Sequence, residues 1–96
     1  EGYNLIMDHK ATLSDALLGS EKKIGTLDGE VTLKVPSGTS HGTILRIKGK
    51  GVPYGMSNST GKGGRGDLYV RVSVQIPEKL SKEQKKLVEE LKKQGL

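Results

Sequence analysis

Asp67-Leu68-Tyr69-Val70-Arg71-Val72-Ser73-Val74-Gln75-Ile76 is the stretch whose reading decides the fold. Every second residue is aliphatic, a period that matches the pleat of a β-strand and no helix. It predicts a strand with Leu68, Val70, Val72, Val74 and Ile76 on a dry face and Tyr69, Arg71, Ser73 and Gln75 on a wet one. One dry face calls for a second apolar layer, so the expected class is mainly β: a small β-sandwich of short, mostly antiparallel strands. Pro77 ends the strand, because it has no N–H to continue a ladder.

Upstream, Asn4 to His9 reads as a first strand, with Leu5 and Met7 alternating against Ile6 and Asp8. Thr12 or Ser14 can cap one short helix through Asp15-Ala16-Leu17-Leu18, which Gly19 ends; Leu13, Leu17 and Leu18 are expected to face the core. Lys22 to Leu27 and Glu30 to Val35 flank Asp28-Gly29, a dipeptide suited to a tight hairpin turn. Val31, Leu33 and Val35 then point inward and Thr32 and Lys34 outward. Pro36-Ser37-Gly38-Thr39 turns the chain, and Thr43 to Lys48 resumes a strand with Leu45 and Ile47 inward. Gly49 to Gly66, rich in Gly, Ser, Asn and Lys and without periodicity, reads as a mobile loop.

Downstream of Pro77, Ser81 and Gln84 have the spacing of a reciprocal capping box, so a helix is expected to start there. Leu87, Val88 and Leu91 recur at helical spacing with Leu80 leading in, Lys92 and Lys93 suit the negative end of the dipole, and Gly95 ends the helix. Glu89 and Lys93 are placed for an i,i+4 ion pair. The apolar stripe is narrow, and Pro77-Glu78-Lys79 forms a spacer that leads away from the last strand. The residues leave two partners open for it: the chain's own sheet, or a second copy in a homodimer.

Ninety-six residues hold one core, and with 32% hydrophobic residues, no Trp, no Phe and three Tyr, that core is thin and aliphatic. The absence of Cys excludes zinc ribbons and thiol chemistry and fits a reducing compartment. No apolar run is long enough to cross a bilayer, and Glu1-Gly2-Tyr3-Asn4 does not read as a signal peptide, so a cytoplasmic chain with no membrane partner is expected. The net charge of +5 is spread over the chain rather than gathered on one segment, which argues against nucleic acid.

The ionisable residues form no catalytic constellation, and neither a cofactor nor a metal is expected. His9 shares a face with Leu5 and Met7 as a half-buried strand residue, and His41 lies solvated in a turn. Gly55 to Lys62 resembles a phosphate loop but has five residues between its glycines instead of four, and Gly63 stands where a hydroxyl is needed. Asn58-Ser59-Thr60 is a formal glycosylation sequon, and Arg65-Gly66-Asp67 a formal adhesion tripeptide; both need export to matter. Lys62-Gly63-Gly64-Arg65-Gly66 resembles glycine-arginine segments that contact RNA, though without aromatic residues for stacking.

Six blocks, in order, carry a family resemblance: Ala16-Leu17-Leu18-Gly19, Thr26-Leu27-Asp28-Gly29, Pro36-Ser37-Gly38-Thr39, Leu45 to Pro53, Gly66-Asp67-Leu68-Tyr69-Val70 and Pro77-Glu78-Lys79-Leu80-Ser81. Together they resemble the second C-terminal β-domain of DnaJ-type J-domain co-chaperones with the dimerisation segment that follows. The resemblance implies a β-domain over residues 1–77 and a dimerisation helix over 78–96. It implies a chain that binds unfolded client proteins, joins a V-shaped homodimer, and serves the seventy-kilodalton heat-shock chaperone through a J domain that this chain lacks. Carried over residue by residue, it places the dimer interface at Leu80, Leu87, Val88 and Leu91 and a weaker client groove at Leu5, Met7 and Ile24. Gly25 departs from the proline common in the family, and the loop from Tyr54 to Arg65 is unusually long and glycine-rich. The competing class is an RNA-binding module that uses the basic loop.

Overall fold

In the computed structural model, which describes residues 2–26, 29–54 and 64–96, the alternating stretch is the strand β7 (Leu68–Gln75), and it is the middle of a sheet. It lies between β1 (Leu5–Thr12) and β4 (Ile44–Ile47) in the order β1-β7-β4. A second sheet is the hairpin of β2 (Ser20–Thr26) and β3 (Gly29–Val35), and a third is the two-residue pairing of β5 (Pro53–Tyr54) with β6 (Gly64–Arg65). Three pairings are antiparallel; β1 and β7 run parallel, from Leu5 opposite Leu68 to Thr12 opposite Gln75.

The alternation sorts side chains as expected along most of β7. Val70 and Val72 are fully buried and Leu68 nearly so, while Arg71 faces solvent. Leu68 and Val70 pack against Ile24, Leu33 and Val35 of the hairpin sheet, with Leu5, Met7, Val31, Leu45 and Ile47 around them. Non-directional burial of these aliphatic faces is what holds the two layers together. At its far end the strand departs from expectation: Val74 is only half-buried and Ile76, past the end of β7, is exposed. The hairpin residues of the core lie against the Leu68–Val70 end and not against this one.

Three local expectations are corrected. The hairpin closes at Thr26 opposite Gly29, so Gly29, at φ +108°, belongs to β3; Leu27 and Asp28 lie outside the described residues. The short helix is α1 (Leu13–Leu18), capped by the Thr12 hydroxyl, which accepts from the Asp15 N–H at 3.2 Å, and stopped at Gly19, φ +86°. Ala16, and none of Leu13, Leu17 or Leu18, is its buried residue. At 100° per residue, so short a helix turns a narrow face inward. The Gly38 and Thr39 N–H groups donate to the Leu17 and Ala16 carbonyls and hold that helix end against the following turn. Within the expected loop, residues 49–54 and 64–66 are built into the fold, and residues 55–63 lie outside the described residues.

The last helix, α2 (Lys82–Lys93), carries the full capping box: the Gln84 N–H donates to the Ser81 hydroxyl at 3.0 Å, and the Ser81 N–H donates to Gln84 Oε1 at 2.8 Å. Gly95, at φ +93°, follows its end. Lys93 meets Glu90 at 3.5 Å, at i,i+3, one residue nearer than the Glu89 partner expected from spacing. No residue of α2 is buried, and among the described residues no other element makes extensive contact with it. The molecule measures 64 × 21 × 19 Å, and its Cα radius of gyration of 18.2 Å exceeds the roughly 12–13 Å of a compact chain this long.

Candidate functional site

Two short helices, α1 and α2, form the walls of an apolar groove of about 520 Å³. Leu13 and Leu17 of α1 form one wall, and Leu80, Leu87, Val88 and Leu91 on and before α2 the other; Gln75 and Pro77, between β7 and α2, also line it. The structure thus brings the four expected interface residues onto one surface, open to solvent. Sequence reasoning missed the α1 wall. Its signal was present: three leucines in a six-residue helix exceed what so short an element can bury.

The three expected client residues lie elsewhere, on the two facing sheets. Ile24 is a buried member of the core, and Leu5 and Met7 are half-buried at its margin. β1 is an edge strand, paired only with β7 among the described residues, so its outer backbone edge runs beside Leu5 and Met7. Such an edge can accept an added strand.

The base of the long loop is a tight polar bracket. Asp67 accepts from Arg46 Nε at 2.7 Å through one oxygen and from the Gly49 N–H at 2.9 Å through the other, while its own N–H donates to Asn4 Oδ1 at 2.8 Å. The Gly49 N–H, with Arg46 adding to it, holds the Asp67 carboxyl below the usual carboxylate range against a smaller opposing effect of burial. Gly51 and Gly66 cross next to Tyr3, where a Cβ on Gly51 would come 2.5 Å from the Tyr3 carbonyl oxygen. Sequence reading took these glycines as loop filler; here their lack of a side chain lets three backbone segments meet.

The bracket also decides several motif readings. Arg65 points its guanidinium at the Gly51 carbonyl, at 2.8 Å from Nη2, so the arginine of the glycine-arginine segment is engaged in the fold. Asp67 of the Arg65-Gly66-Asp67 tripeptide is held by Arg46 and Gly49. The loop resembling a phosphate site, Gly55 to Lys62, and the sequon Asn58-Ser59-Thr60 lie outside the described residues. His9 is half-buried on β1 as expected. His41 is exposed but not merely solvated: its Nδ1 accepts the Val74 N–H at 3.0 Å, continuing the ladder past the end of β4. Among the described residues no group of His, Asp and Glu has the arrangement of a metal site, and no helix is long and apolar enough to cross a membrane.

Comparison with known proteins places this arrangement. Residues 1–77 match the family model described as the DnaJ C terminal domain. The chain is 43% identical over 90 residues to the chaperone protein DnaJ of Ruminiclostridium cellulolyticum, covering 94% of this chain and 22% of that protein. It is 48% identical over 92 residues to the chloroplastic chaperone protein dnaJ A7B of rice, covering 95% of this chain and 20% of that one. With the chaperone protein DnaJ of Leptospira biflexa the identity is 43% over 96 residues, 99% of this chain and 24% of the relative. The chain spans about a fifth to a quarter of the length of these relatives.

Proposed function

This chain belongs to the DnaJ C-terminal domain family, and on that premise we propose that it is the dimer-forming, client-binding end of a DnaJ-like co-chaperone. It holds segments of unfolded proteins on apolar strand surface and pairs with a second copy through Leu80, Leu87, Val88 and Leu91. The longer protein then passes the client to the seventy-kilodalton heat-shock chaperone, a step that needs a J domain. The observation that supports this most is α2 itself: a capped helix with an apolar stripe that its own domain leaves uncovered.

Client contact falls to the edge of β1, where Leu5 and Met7 retain exposed surface over the packed floor that Ile24 provides. Main-chain pairing along the edge supplies affinity with little sequence preference, as a binder of many clients requires. Two such edges tethered in one dimer raise the effective concentration for a long client. The compartment proposed is the cytoplasm, from the absence of Cys; rice relatives named as chloroplastic extend the family to a second one.

Sedimentation of the chain with and without Leu87→Asp and Leu91→Asp, beside a client-aggregation assay, tests the reading. A wild-type dimer that the pair of substitutions converts to a folded monomer with weaker client protection is the expected result. A monomeric wild type, a dimer indifferent to both substitutions, or steeply salt-dependent RNA binding by a chain that ignores unfolded clients would overturn it.

A further inference from the structure

On the β4 side, the hydrogen-bond ladder of β7 ends on a side chain. The Gly42 N–H donates to the Val72 carbonyl at 2.8 Å and the Val72 N–H donates to the Thr43 carbonyl at 2.8 Å, both backbone to backbone. The next N–H of β7 on that side is Val74. There the chain has already turned away, with the Thr43 N–H closing onto the Ser40 carbonyl at 3.1 Å. The acceptor that meets Val74 is His41 Nδ1, at 3.0 Å. We infer that His41 is a pH-sensitive latch: its neutral imidazole closes the last rung of β7, and its protonated form opens that rung and loosens the joint that leads to α2.

The chemistry of the ring carries this. Nδ1 accepts a hydrogen bond only while it holds no proton, so the rung requires the neutral ring with its hydrogen on Nε2. The imidazolium has a hydrogen on both nitrogens, so no turn of the ring supplies an acceptor and the Val74 N–H would face another N–H. Imidazole is the side chain that changes charge between about pH 5 and 8. The bond therefore contributes fully where the ring is neutral and is lost as pH falls through its titration. A backbone carbonyl in the same place would be indifferent to pH.

The surroundings offer a charged ring no partner. Beside the imidazole lies an apolar pocket of about 450 Å³, lined by Leu13, Ala16 and Leu17 of α1 with Thr39, Val74 and Ile76. The titratable group of α1, Asp15, is paired with Lys22 at 3.5 Å and is absent from that lining. On β7, Arg71 is exposed on the face opposite Val72, and β1 places Asp8 and Lys10 on that same outer face, level with Arg71 and Ser73. His9, opposite Val72, titrates on the β1 side of the strand. Residues 36–43 carry no Asp, Glu, Lys or Arg. His41 is itself exposed, so water takes up the ring once it is charged. Past Val74, β7 is then tied only to β1 among the described residues, through Thr12 opposite Gln75, before Pro77 begins the spacer to α2. Opening the rung frees the strand end that carries the helix and leaves the fully buried Val70 and Val72 in place.

The test is an NMR titration of the 96-residue chain between about pH 5 and 8. It reads the His41 ring nitrogens, amide protection corrected for intrinsic exchange, and backbone relaxation at Ile76 and Glu78. Wild type is compared with His41→Gln, whose amide oxygen can accept but does not titrate, and with His9→Gln. The expected result is a fall of about threefold or more in Val74 protection, at the midpoint of the His41 ring, with Val70 and Val72 unchanged. Ile76 and Glu78 gain mobility at that same midpoint, His9→Gln keeps the step, and His41→Gln abolishes it. Flat Val74 protection while the ring titrates, a ring that stays neutral throughout, a step that survives in His41→Gln, or a loss shared equally by Val70 and Val72 would overturn the latch. Release of Val74 with no change at Ile76 and Glu78 would overturn its hold on the joint. The wild-type titration decides the matter even if a variant does not fold.

Discussion

Gly66→Ala and Gly25→Ala make the same chemical change with opposite expected effects. Neither glycine has positive φ, so backbone strain is not the difference. Around Gly25 nothing lies within 4 Å of the added carbon. At Gly66 the new Cβ overlaps the Tyr3 carbonyl and approaches Asn4 Oδ1 to 2.8 Å. The Tyr3 carbonyl cannot simply move, because it accepts the Val52 N–H at 2.7 Å, and Asn4 Oδ1 holds the Asp67 N–H at 2.8 Å. Overpacking costs about 1–3 kcal/mol, and losing those two hydrogen bonds adds about 1 kcal/mol each. The total, about 3–5 kcal/mol, is a large share of the 5–15 kcal/mol that typically holds a domain. With a urea dependence near 1 kcal/mol per molar for a chain this size, the midpoint should fall by about 3–5 M, or the domain should fail to fold. Gly25→Ala should raise stability by about 0.4–1 kcal/mol by restricting the unfolded chain. The assay is urea unfolding followed by far-UV circular dichroism. A Gly66→Ala midpoint within about 0.5 M of wild type would refute the crossing at Tyr3.

Asp67→Asn should lower stability at neutral pH and flatten its acid limb. The folded carboxyl titrates below its ordinary value of 3.8, so its contribution is complete above that value and is lost as pH falls through the folded one. Urea midpoints at several pH values between about 3 and 7 read this directly, and an unchanged acid limb would contradict it. Ser81→Ala removes the acceptor for the Gln84 N–H and should cost α2 about 1 kcal/mol. Because α2 lacks support from its own domain, helical signal should drop while the unfolding midpoint of the sheets stays in place; equal losses in both would contradict the isolation of α2. His41→Ala leaves the Val74 N–H without its acceptor, and amide exchange at Val74 should accelerate at least several-fold while Val70 stays protected. Unchanged exchange at Val74 would show that the imidazole is not part of the ladder.

How much of this was legible depends on the range of the interaction concerned. Period-two alternation at Leu68–Gln75, the Ser81 cap and the stops at Gly19 and Gly95 are set by neighbours within a few residues, so local pattern located them, and it narrowed the first cap to Thr12 or Ser14. The parallel pairing of β1 with β7 joins residues 63 apart, and nothing in either strand alone states its direction. Leu13, Leu17 and Leu18 were read inward because they are leucines, yet a helix of six residues has room to bury only Ala16. Gly51 and Gly66 looked like flexible loop because their partner, Tyr3, stands at the other end of the chain.

The sequence by itself determined that this protein is a thin aliphatic β-domain followed by a capped, striped helix, since those features follow from periodicity and capping chemistry, and its blocks were enough to suggest the family. Only the tertiary structure decided where the apolar residues point. It buried Ile24 in the core and left α2 uncovered beside α1. The physical reason is that exposure is a property of packing between distant segments, and a pattern of residues specifies an apolar face without specifying what, if anything, lies against it.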